Sequence, residues 1–384
     1  MTDVGPPWPM SWQAARQLAG SVGPLASVEV ALSAAAGHGF AEDVAALTDL
    51  PAFTASAMDG WAFRGDPPWT IAPQGTALLP GTASAVSTGA AVPPGTDAVL
   101  RMEDGQIHPE RAVLAPSGRT PVPGADLRPR GSECAAGDVL VARGARASPA
   151  VLGLLAAAGH DRVAVVVPPV VEVLVLGDEL IDSGPARNGL VRDALSLMLP
   201  PWLTTLGAEA PPARRVADTA QALRAAITGS SGDLVVTTGS TARGPRDLLH
   251  AVLAAAGAEL TVDSVQVRPG HPMLMATLSD GRPLVGLPGN PLAAVSGLLT
   301  LVAPAVQALA GLSPGPERST VLTSAVRGHP VDVRLVPVQD GTPLHFVGPA
   351  MLRGLAAADA LAVVPAGGAA AGDRVQILAM PWTC

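Results

Sequence analysis

The sequence predicts a multidomain α/β protein, in which one regular α/β unit is accompanied by smaller segments rich in β-structure. Strands and helices alternate from Val170 to Ala310, as expected of a parallel sheet covered by helices. Residues 51–124 instead contain short apolar runs interrupted by Pro and Gly, a pattern typical of a small β module. A chain of 384 residues has room for roughly two to four domains.

Composition excludes several classes of protein. The formal charge of −8 argues against general binding of nucleic acid or of anionic membranes. Hydrophobic residues make up 48% of the chain, which excludes disorder as its main state. All 24 basic residues are Arg, and Tyr is absent too, a pattern that indicates codon bias. A missing Lys or Tyr is therefore weak evidence of lost function. Two cysteines, Cys134 and Cys384, cannot form a disulfide framework or a zinc site by themselves.

Two segments bear on localisation. The first ten residues lack the basic and apolar regions of a secretory signal, so we expect a cytoplasmic protein. Residues 292–312 contain no charge, but Ser296, Pro304 and Gln307 interrupt the apolar run. A buried helix is therefore favoured over a membrane span.

The N-terminal half combines two helices with short strands. Ser11 can cap a helix over Trp12–Leu18, and Ser148-Pro149 can start a second helix that continues to Gly159. Between them, short strands are predicted at Trp69–Ile71, Ala98–Met102 and Arg111–Leu114.

The second half predicts the α/β unit and a final β segment. Its strands are predicted at Val170–Leu176, Leu234–Thr238 and Leu260–Val267. The helices are predicted at Val191–Leu199, Thr219–Ile227, Asp247–Ala256 and Leu292–Ala310. Alternating strands at Val331–Val338, Ala360–Val364 and Arg374–Ala379 indicate a small C-terminal β domain. Loops 177–179 and 239–246 follow strands, and ligands of such sheets bind beyond the carboxyl ends of strands.

Four motifs could carry chemistry. Asp59-Gly60 can aim a carboxylate from a tight bend, although such pairs are usually plain turns. The loop Thr237–Gly244 can cradle a phosphate with backbone N–H groups, or it is an ordinary polar loop capped by Asp247. Asp178-Glu179 suits acid–base or metal chemistry, although solvated loop acids are commoner. The turns Arg268–Pro272 and Gly286–Pro291 can fix backbone and cations around an oxyanion, or serve structure alone.

The order and spacing of these motifs resemble the molybdopterin molybdenumtransferase family (the MoeA family, related to the E domain of gephyrin). The matching segments are Ser56–Ala62, Ser87–Ala90 with Val92–Val99, Arg128–Glu133, Gly177–Leu180, Asp233–Gly239, Gly244 with Asp247, Arg268–Gly270 and Gly286–Pro291.

The resemblance implies four segments and a shared site. The segments are a discontinuous N-terminal domain (1–50 and 126–168), an inserted β domain (51–125), a molybdopterin-binding parallel α/β domain (169–312) and a C-terminal β domain (313–384). It implies a homodimer whose active sites are shared between subunits, with small-molecule substrates and neither nucleic acid nor membrane as partner. The implied reaction inserts molybdenum from molybdate into adenylated molybdopterin and releases AMP with Mg²⁺.

The resemblance also assigns roles to residues. The implied catalytic acids are Asp59, Glu133, Glu179, Asp233 and Asp247, of which Asp233 and Asp247 would hold Mg²⁺. The implied binding residues are Ser87, Thr88, Thr238, Gly239, Ser240, Arg268, His271, Pro288, Gly289 and Arg334.

Several positions depart from the family pattern. Leu176 replaces a Thr, Leu195 replaces an Asn, and Arg268 and His271 stand for two lysines. A Ser expected near residues 348–353 is not evident, and Pro200-Pro201 is expected to interrupt a helix.

Two hypotheses therefore remain: an active enzyme with a modified pocket, and a degenerate paralogue that binds molybdopterin or a partner without turnover. Retention of the five acids favours the enzyme. A plain nucleotide-binding module is a third reading, but the chain lacks a Walker or dinucleotide glycine motif.

Overall fold

A six-stranded sheet, the central sheet, lies in the middle of the chain. The computed structural model describes residues 9–242, 244 and 247–380. In spatial order the strands are Arg214–Val216, Val171–Leu176, Leu234–Thr238, Pro283–Leu287, Leu274–Thr277 and Glu259–Asp263.

The central sheet is parallel with one exception. The first four strands in spatial order pair in parallel, whereas Leu274–Thr277 runs antiparallel to both of its neighbours. Only residues 278–282 connect it to Pro283–Leu287, and a connection this short permits only an antiparallel pair. The prediction of a wholly parallel sheet is corrected to this extent.

Helices cover both faces of the central sheet, whereas the helix Pro149–Ala157 packs in the core of the N-terminal segments. The helices are α1 (Trp12–Ala19), α2 (Pro149–Ala157), α3 (Leu195–Leu206), α4 (Ala220–Thr228), α5 (Leu249–Ala255), α6 (Pro291–Gly297), α7 (Ala303–Leu309) and α8 (Arg353–Ala357). Along the strand 171–176, Val173 and Val175 pack on one face, whereas Leu174 and Leu176 pack on the other. The continuous apolar run in the sequence therefore reflects burial on both faces of the sheet.

The long apolar helix is internal, as the sequence predicts. Residues 291–309 form α6, a π-helical turn at Leu298–Val302 and α7. By length and composition this helix could cross a membrane, but 83% of its most apolar window is buried in the fold. Trp12 Nε1 donates a hydrogen bond of 3.1 Å to Thr300 Oγ1, which ties α1 to the π-helical turn.

Two predicted elements have different bounds. The predicted strand 260–267 divides at Ser264, whose φ of +76° turns the chain out of the central sheet. Val267–Arg268 then pairs with Val333–Arg334 in another sheet. The helix predicted at 191–199 starts only at Leu195, because Val191–Arg192 pairs with Leu180–Ile181 and Asp193 accepts the N–H of Ser196.

Pro200 and Pro201 do not interrupt α3, contrary to the prediction. The helix continues from Leu195 to Leu206 although both prolines lack a donor. Leu199, Trp202 and Leu203 are buried in the core around the two prolines. Packing of this apolar face offsets the two lost hydrogen bonds.

The segments before residue 168 form two further sheets. Ser27–Ala31, Arg162–Val166 and Gly39–Phe40 make the N-terminal sheet, so the two ends of this region pair with each other. Smaller strand pairs join Val44–Ala45 to Val139–Val141 and Ala55–Ser56 to Leu127–Arg128. The inserted sheet has the order Ala98–Arg101, Gly60–Arg64, Thr82–Val86, Trp69–Ile71, Val113–Pro116 and Gly105–His108.

The N-terminal sheet docks closely on the end of α7. Leu25 N–H donates to Leu309 O at 2.8 Å, and Ser313 N–H donates to Gly144 O at 2.8 Å. A Cβ on Gly39 would lie 2.6 Å from Ala310 O, which leaves room for glycine alone. The N-terminal segments and the end of α7 are therefore in direct backbone contact at this junction.

The final segment forms the C-terminal sheet. Its strands, in spatial order, are Val267–Arg268, Val333–Gln339, Ala360–Val364, Arg374–Ala379 and Arg318–Val321, with Thr342–Pro343 paired to Val333–Gln339. Val326–Arg327 and Gly368–Ala369 form a separate pair. The predicted C-terminal strands are present, and a strand from the middle of the chain completes the sheet at one edge.

Candidate functional site

A cleft of about 460 Å³ opens at the carboxyl ends of the central strands. Three loops converge on it, those that follow Val171–Leu176, Leu234–Thr238 and Pro283–Leu287. The predicted site residues that line it are Glu179, Asp247, Thr238, Gly239, Ser240 and Gly289. The cleft is thus where ligands of open α/β sheets bind.

The loop after Leu234–Thr238 bends sharply into the cleft. Gly239 and Ser240 both have positive φ values, +85° and +54°, and Gly239 N–H donates to Leu287 O at 2.9 Å. Gly289 lies beside Gly239, and a Cβ added to Gly289 would make an ordinary contact of 3.6 Å with Gly239 Cα. Two loops without bulky side chains therefore leave the backbone at this point accessible to a ligand.

Asp247 closes the same loop. Its Oδ2 accepts the N–H of Gly244 at 2.6 Å, and its own N–H donates to Gly244 O at 3.0 Å. A Cβ on Gly244 would lie 2.7 Å from Oδ2, so glycine allows this contact. Helix α5 begins only at Leu249, two residues later than Asp247. Arg243 of this motif lies outside the described residues.

Arg215 holds the loop that carries Glu179. Its guanidinium donates to Gly177 O at 2.7 Å and to Leu180 O at 2.6 Å, and it pairs with Asp182 at 2.9 Å. Gly177 has a φ of +135°, which an L side chain rarely adopts. The loop is therefore fixed at its backbone, while the Glu179 side chain stays exposed at the rim of the cleft.

Asp218 lines the cleft as well, and the sequence analysis missed it. Asp178 N–H donates to Asp218 Oδ2 at 3.1 Å, and Asp218 N–H donates to Asp178 Oδ1 at 3.3 Å. Asp218 Oδ1 is buried and has no hydrogen-bond partner among the described residues. The one sequence signal is position, because Asp218 lies two residues after the strand Arg214–Val216, at the same edge of the sheet.

Asp193 is a fourth acid in the cleft wall, after Glu179, Asp218 and Asp247, but its carboxylate is engaged within the fold. It is 6% exposed and accepts both the N–H and the hydroxyl of Ser196, which fixes the start of α3. Its carboxylate is therefore occupied by a helix cap.

Asp233 does not share a site with Asp247. It lies before Leu234, at the opposite end of the strand from the cleft, where its Oδ2 accepts the N–H of Val170 at 2.8 Å. The strand of five residues between them is about 16 Å long, at ~3.3 Å per residue, and the two residues lie at its opposite ends. The predicted Mg²⁺ pair of Asp233 and Asp247 is therefore wrong, and Asp233 instead joins two strands.

The predicted cations lie at the junction with the C-terminal sheet. Arg268 and Arg334 are register partners on adjacent parallel strands. Arg268 Nε donates to Asp332 at 2.7 Å, so a carboxylate already compensates its charge, and Arg334 donates to Arg327 O. His271 Nδ1 is buried and has no partner in the described part of the chain. None of these three cations lines the cleft.

The loop 286–291 connects the cleft to the same junction. Pro288 is buried, and Gly289 and Pro291 line the cleft where α6 begins. The first free N–H groups of α6, those of Leu292 and Ala293, donate to Pro349 O of the C-terminal segment at 2.9 and 3.2 Å. The start of this helix is therefore capped from within the chain.

The N-terminal motifs gather at a different place. Thr88 N–H donates to Asp59 Oδ1 at 2.8 Å, and Gly89 N–H donates to Ser56 O at 2.8 Å. Leu127–Arg128 pairs with Ala55–Ser56, which brings the segment that ends in Glu133 alongside. The side chains of Asp59, Ser87 and Thr88 are exposed there, and Glu133, whose N–H donates to Leu50 O at 2.9 Å, is exposed five residues beyond the paired strand.

These exposed N-terminal residues do not reach the cleft of their own chain. The residues that line the cleft fall between 176 and 291. The chain therefore carries two separate groups of predicted site residues, an acidic cleft in the central sheet and an exposed polar edge near Asp59.

Comparison with known proteins agrees with this architecture. Residues 10–159 match a family model described as MoeA N-terminal region (domain I and II), and residues 172–308 match a probable molybdopterin binding domain. A relative named molybdopterin molybdenumtransferase 2, from Mycobacterium tuberculosis, is 30% identical over 91% of this chain and 94% of its own. A molybdopterin molybdenumtransferase from Nostoc is 31% identical over 75% of this chain and 70% of its own.

Solved structures show the same fold. A molybdopterin biosynthesis MoeA protein from Pyrococcus horikoshii superposes with a TM-score of 0.79, at 21% identity, over 96% of this chain and 99% of its own. The fold, the cleft and the two matching family models together define the class of protein. It comprises multidomain proteins built around an α/β domain of the molybdopterin-binding type. Within that class the chain belongs to the MoeA family.

Proposed function

We propose that this chain is a molybdopterin molybdenumtransferase of molybdenum cofactor biosynthesis. It would insert molybdenum from molybdate into adenylated molybdopterin and release AMP. The observation that carries the proposal is the cleft, which places three acids, Glu179, Asp218 and Asp247, beside the exposed backbone of Gly239 and Ser240. Relatives that align with nine-tenths of the chain bear this activity in their names.

The cleft residues suit a substrate that carries a pyrophosphate. The backbone N–H of Ser240, with the hydroxyls of Thr238 and Ser240, can donate to phosphate oxygens, whereas the N–H of Gly239 is already bonded to Leu287 O. Glu179 is exposed at the rim, where a carboxylate can exchange protons with bound groups. Fixed donors that face a developing negative charge stabilise it without reorganisation.

The cleft also fits a Mg²⁺ ion shared with the substrate. Asp218 presents a buried oxygen without a partner, and Asp247 lines the same space. Mg²⁺ typically takes one or two carboxylates and completes its shell with water and substrate oxygens. No group of three acids, His or Cys within the described residues forms a ready-made site. When bound, the ion would neutralise phosphate charge and polarise the bond to AMP.

We propose that the active site is completed by a second copy of the chain. The edge formed by Asp59, Ser87, Thr88 and Glu133 is exposed and absent from the cleft of its own chain. In a homodimer this edge can face the partner's cleft and add carboxylates and hydroxyls to it. The catalytic roles of Asp59 and Glu133, and binding by Ser87 and Thr88, depend on that arrangement.

The remaining assignments belong to the same proposal. Arg268, His271 and Arg334 would bind molybdate at the junction with the C-terminal sheet, where the anion would have to compete with Asp332 for the guanidinium of Arg268. The four-domain division at residues 50/51, 125/126, 168/169 and 312/313 and a cytoplasmic location complete it.

Genetic complementation tests the proposal. The gene should restore molybdoenzyme activity to a strain that lacks its own molybdenumtransferase, and the Glu179→Ala variant should not. If neither restores activity although both proteins accumulate in folded form, the chain is a paralogue without turnover.

A further inference from the structure

A pocket of about 330 Å³ lies outside the cleft, where three parts of the fold meet. Helix α1 contributes Arg16, the long apolar helix contributes Leu299 and Gln307, and the C-terminal segment contributes Arg318 and Gln376. It shares no residue with the cleft.

Arg16 is a partly buried cation without a carboxylate partner. Its guanidinium donates to Leu299 O and lies 5.0 Å from the ring centre of Trp12. Burial lowers the pKa of Arg16, and the charge of Glu317 only partly offsets this effect. Within the described residues no carboxylate forms an ion pair with Arg16. A partly buried cation without an ion-pair partner is costly to the fold, and a bound anion would offset that cost.

The backbone under Arg16 is irregular. Leu299, whose carbonyl accepts from Arg16, lies in the π-helical turn 298–302. π-Turns inside α-helices are rare and occur frequently at functional sites. This observation is independent of charge and marks the same position in the fold.

The rest of the pocket offers further donors. Arg318 is exposed at the pocket wall, and the carboxamides of Gln307 and Gln376 have no hydrogen-bond partner among the residues that the structure describes. Glu317 is the one carboxylate in the wall. Two guanidinium groups and two amides against one acid favour an anionic, acceptor-rich ligand.

We propose that this pocket binds a small oxyanion, a group of the phosphate, sulfate or carboxylate type, held between Arg16 and Arg318. A bound oxyanion would join α1 and the long helix to the C-terminal sheet. Because only the native fold contains the pocket, binding would also raise the melting temperature.

Titration calorimetry at constant ionic strength tests the proposal with sodium phosphate and, separately, sodium acetate. We expect saturable binding of at least one anion that weakens tenfold or more in Arg16→Gln. Arg318→Gln leaves the core untouched and should weaken binding severalfold, so the test does not depend on Arg16→Gln folding. Arg224→Gln removes an exposed Arg from another surface and should bind as the parent does. The phosphate and acetate arms distinguish a tetrahedral from a planar ligand.

The proposal fails if no anion saturates, or if both pocket variants bind as tightly as the parent. A selenate soak locates the anion directly, with an anomalous peak expected beside Arg16. A peak in the crystal without saturable binding in solution would mean an adventitious ion only and would overturn the proposal. Because Arg318 lies outside the cleft, loss of binding in Arg318→Gln with unchanged AMP release separates this pocket from the proposed enzymatic function.

Discussion

At the scale of single residues, Asp218 has the most distinctive environment in the cleft. Oδ2 accepts the N–H of Asp178, whereas Oδ1 is buried without a partner. A buried acceptor left unpaired costs about 1–3 kcal/mol, so a bound ligand or ion that satisfies it has a clear physical basis. Asp178 forms the reciprocal backbone contact but does not line the cleft.

Asp218→Asn should lower AMP release at least tenfold while the fold is retained. Asparagine keeps one oxygen that can accept the Asp178 N–H, but it removes the charge that a cation in the cleft would use. Asp178→Asn is the matched control and should retain most activity. Equal losses in the two variants would show that the Asp178–Asp218 contact supports the loop rather than the chemistry.

Asp49 provides a prediction about pH. The N–H of Ala136, followed by the side chain of Arg130, lowers the pKa of Asp49 below its ordinary value. A carboxyl group with a lowered folded-state pKa stabilises the fold above its unfolded pKa of ~3.9, and this stability is lost as the pH falls through the folded value. Asp49→Asn should therefore make the melting temperature less dependent on pH between about 5 and 3. Glu42→Gln, at an exposed acid to which the described part of the chain offers no partner, should keep the parent's profile.

At the scale of elements, the junction between the N-terminal sheet and α7 depends on close backbone approach. Gly39→Ala should destabilise the protein by about 1–3 kcal/mol, because its Cβ would lie 2.6 Å from Ala310 O. Gly153→Ala is the matched control, since Gly153 lies within α2 with nothing within 4 Å of the added carbon. There the exchange should stabilise the helix by about 0.5–1 kcal/mol. Urea unfolding measures both, and equal effects would contradict the steric account.

The sequence predicts elements well where one local signal dominates. Ser11 and Ser148 cap α1 and α2 as expected, because their side chains accept from the third residue beyond. The buried run before Gly177 is a strand of the central sheet. The predicted break at Pro200 and Pro201 is wrong, because tertiary packing of α3 outweighs the loss of two backbone hydrogen-bond donors.

The candidate site is less predictable, because distance in space does not follow order along the chain. Asp233 and Asp247 flank one strand in sequence but lie at its opposite ends. Asp218 has no motif of its own and enters the cleft through the parallel pairing of Arg214–Val216 with Leu174–Leu176. The sequence around Arg268 gives no sign of an ion-pair partner, yet the carboxylate of Asp332, 64 residues further along the chain, pairs with its guanidinium.

At the scale of the whole molecule, the separation of the two residue groups leads to a prediction about assembly. An Asp59→Ala chain and a Glu179→Ala chain should each be inactive, because each breaks one side of a shared site. A mixed dimer would contain one site with both residues intact. Mixing the two variants should therefore restore part of the activity, whereas mixing either variant with itself should not. No recovery despite demonstrated subunit exchange would show that the site lies within one chain.

In the proposed function, the cleft is the site at which molybdenum is inserted into adenylated molybdopterin. The most direct measurement is release of AMP by the purified protein from adenylated molybdopterin, with and without molybdate, in the presence of Mg²⁺. We predict molybdate-dependent release of AMP in step with formation of molybdenum cofactor, and its loss in Glu179→Ala. Tight binding of adenylated molybdopterin without any molybdate-dependent release would contradict the account, because it would leave a binding protein rather than a transferase.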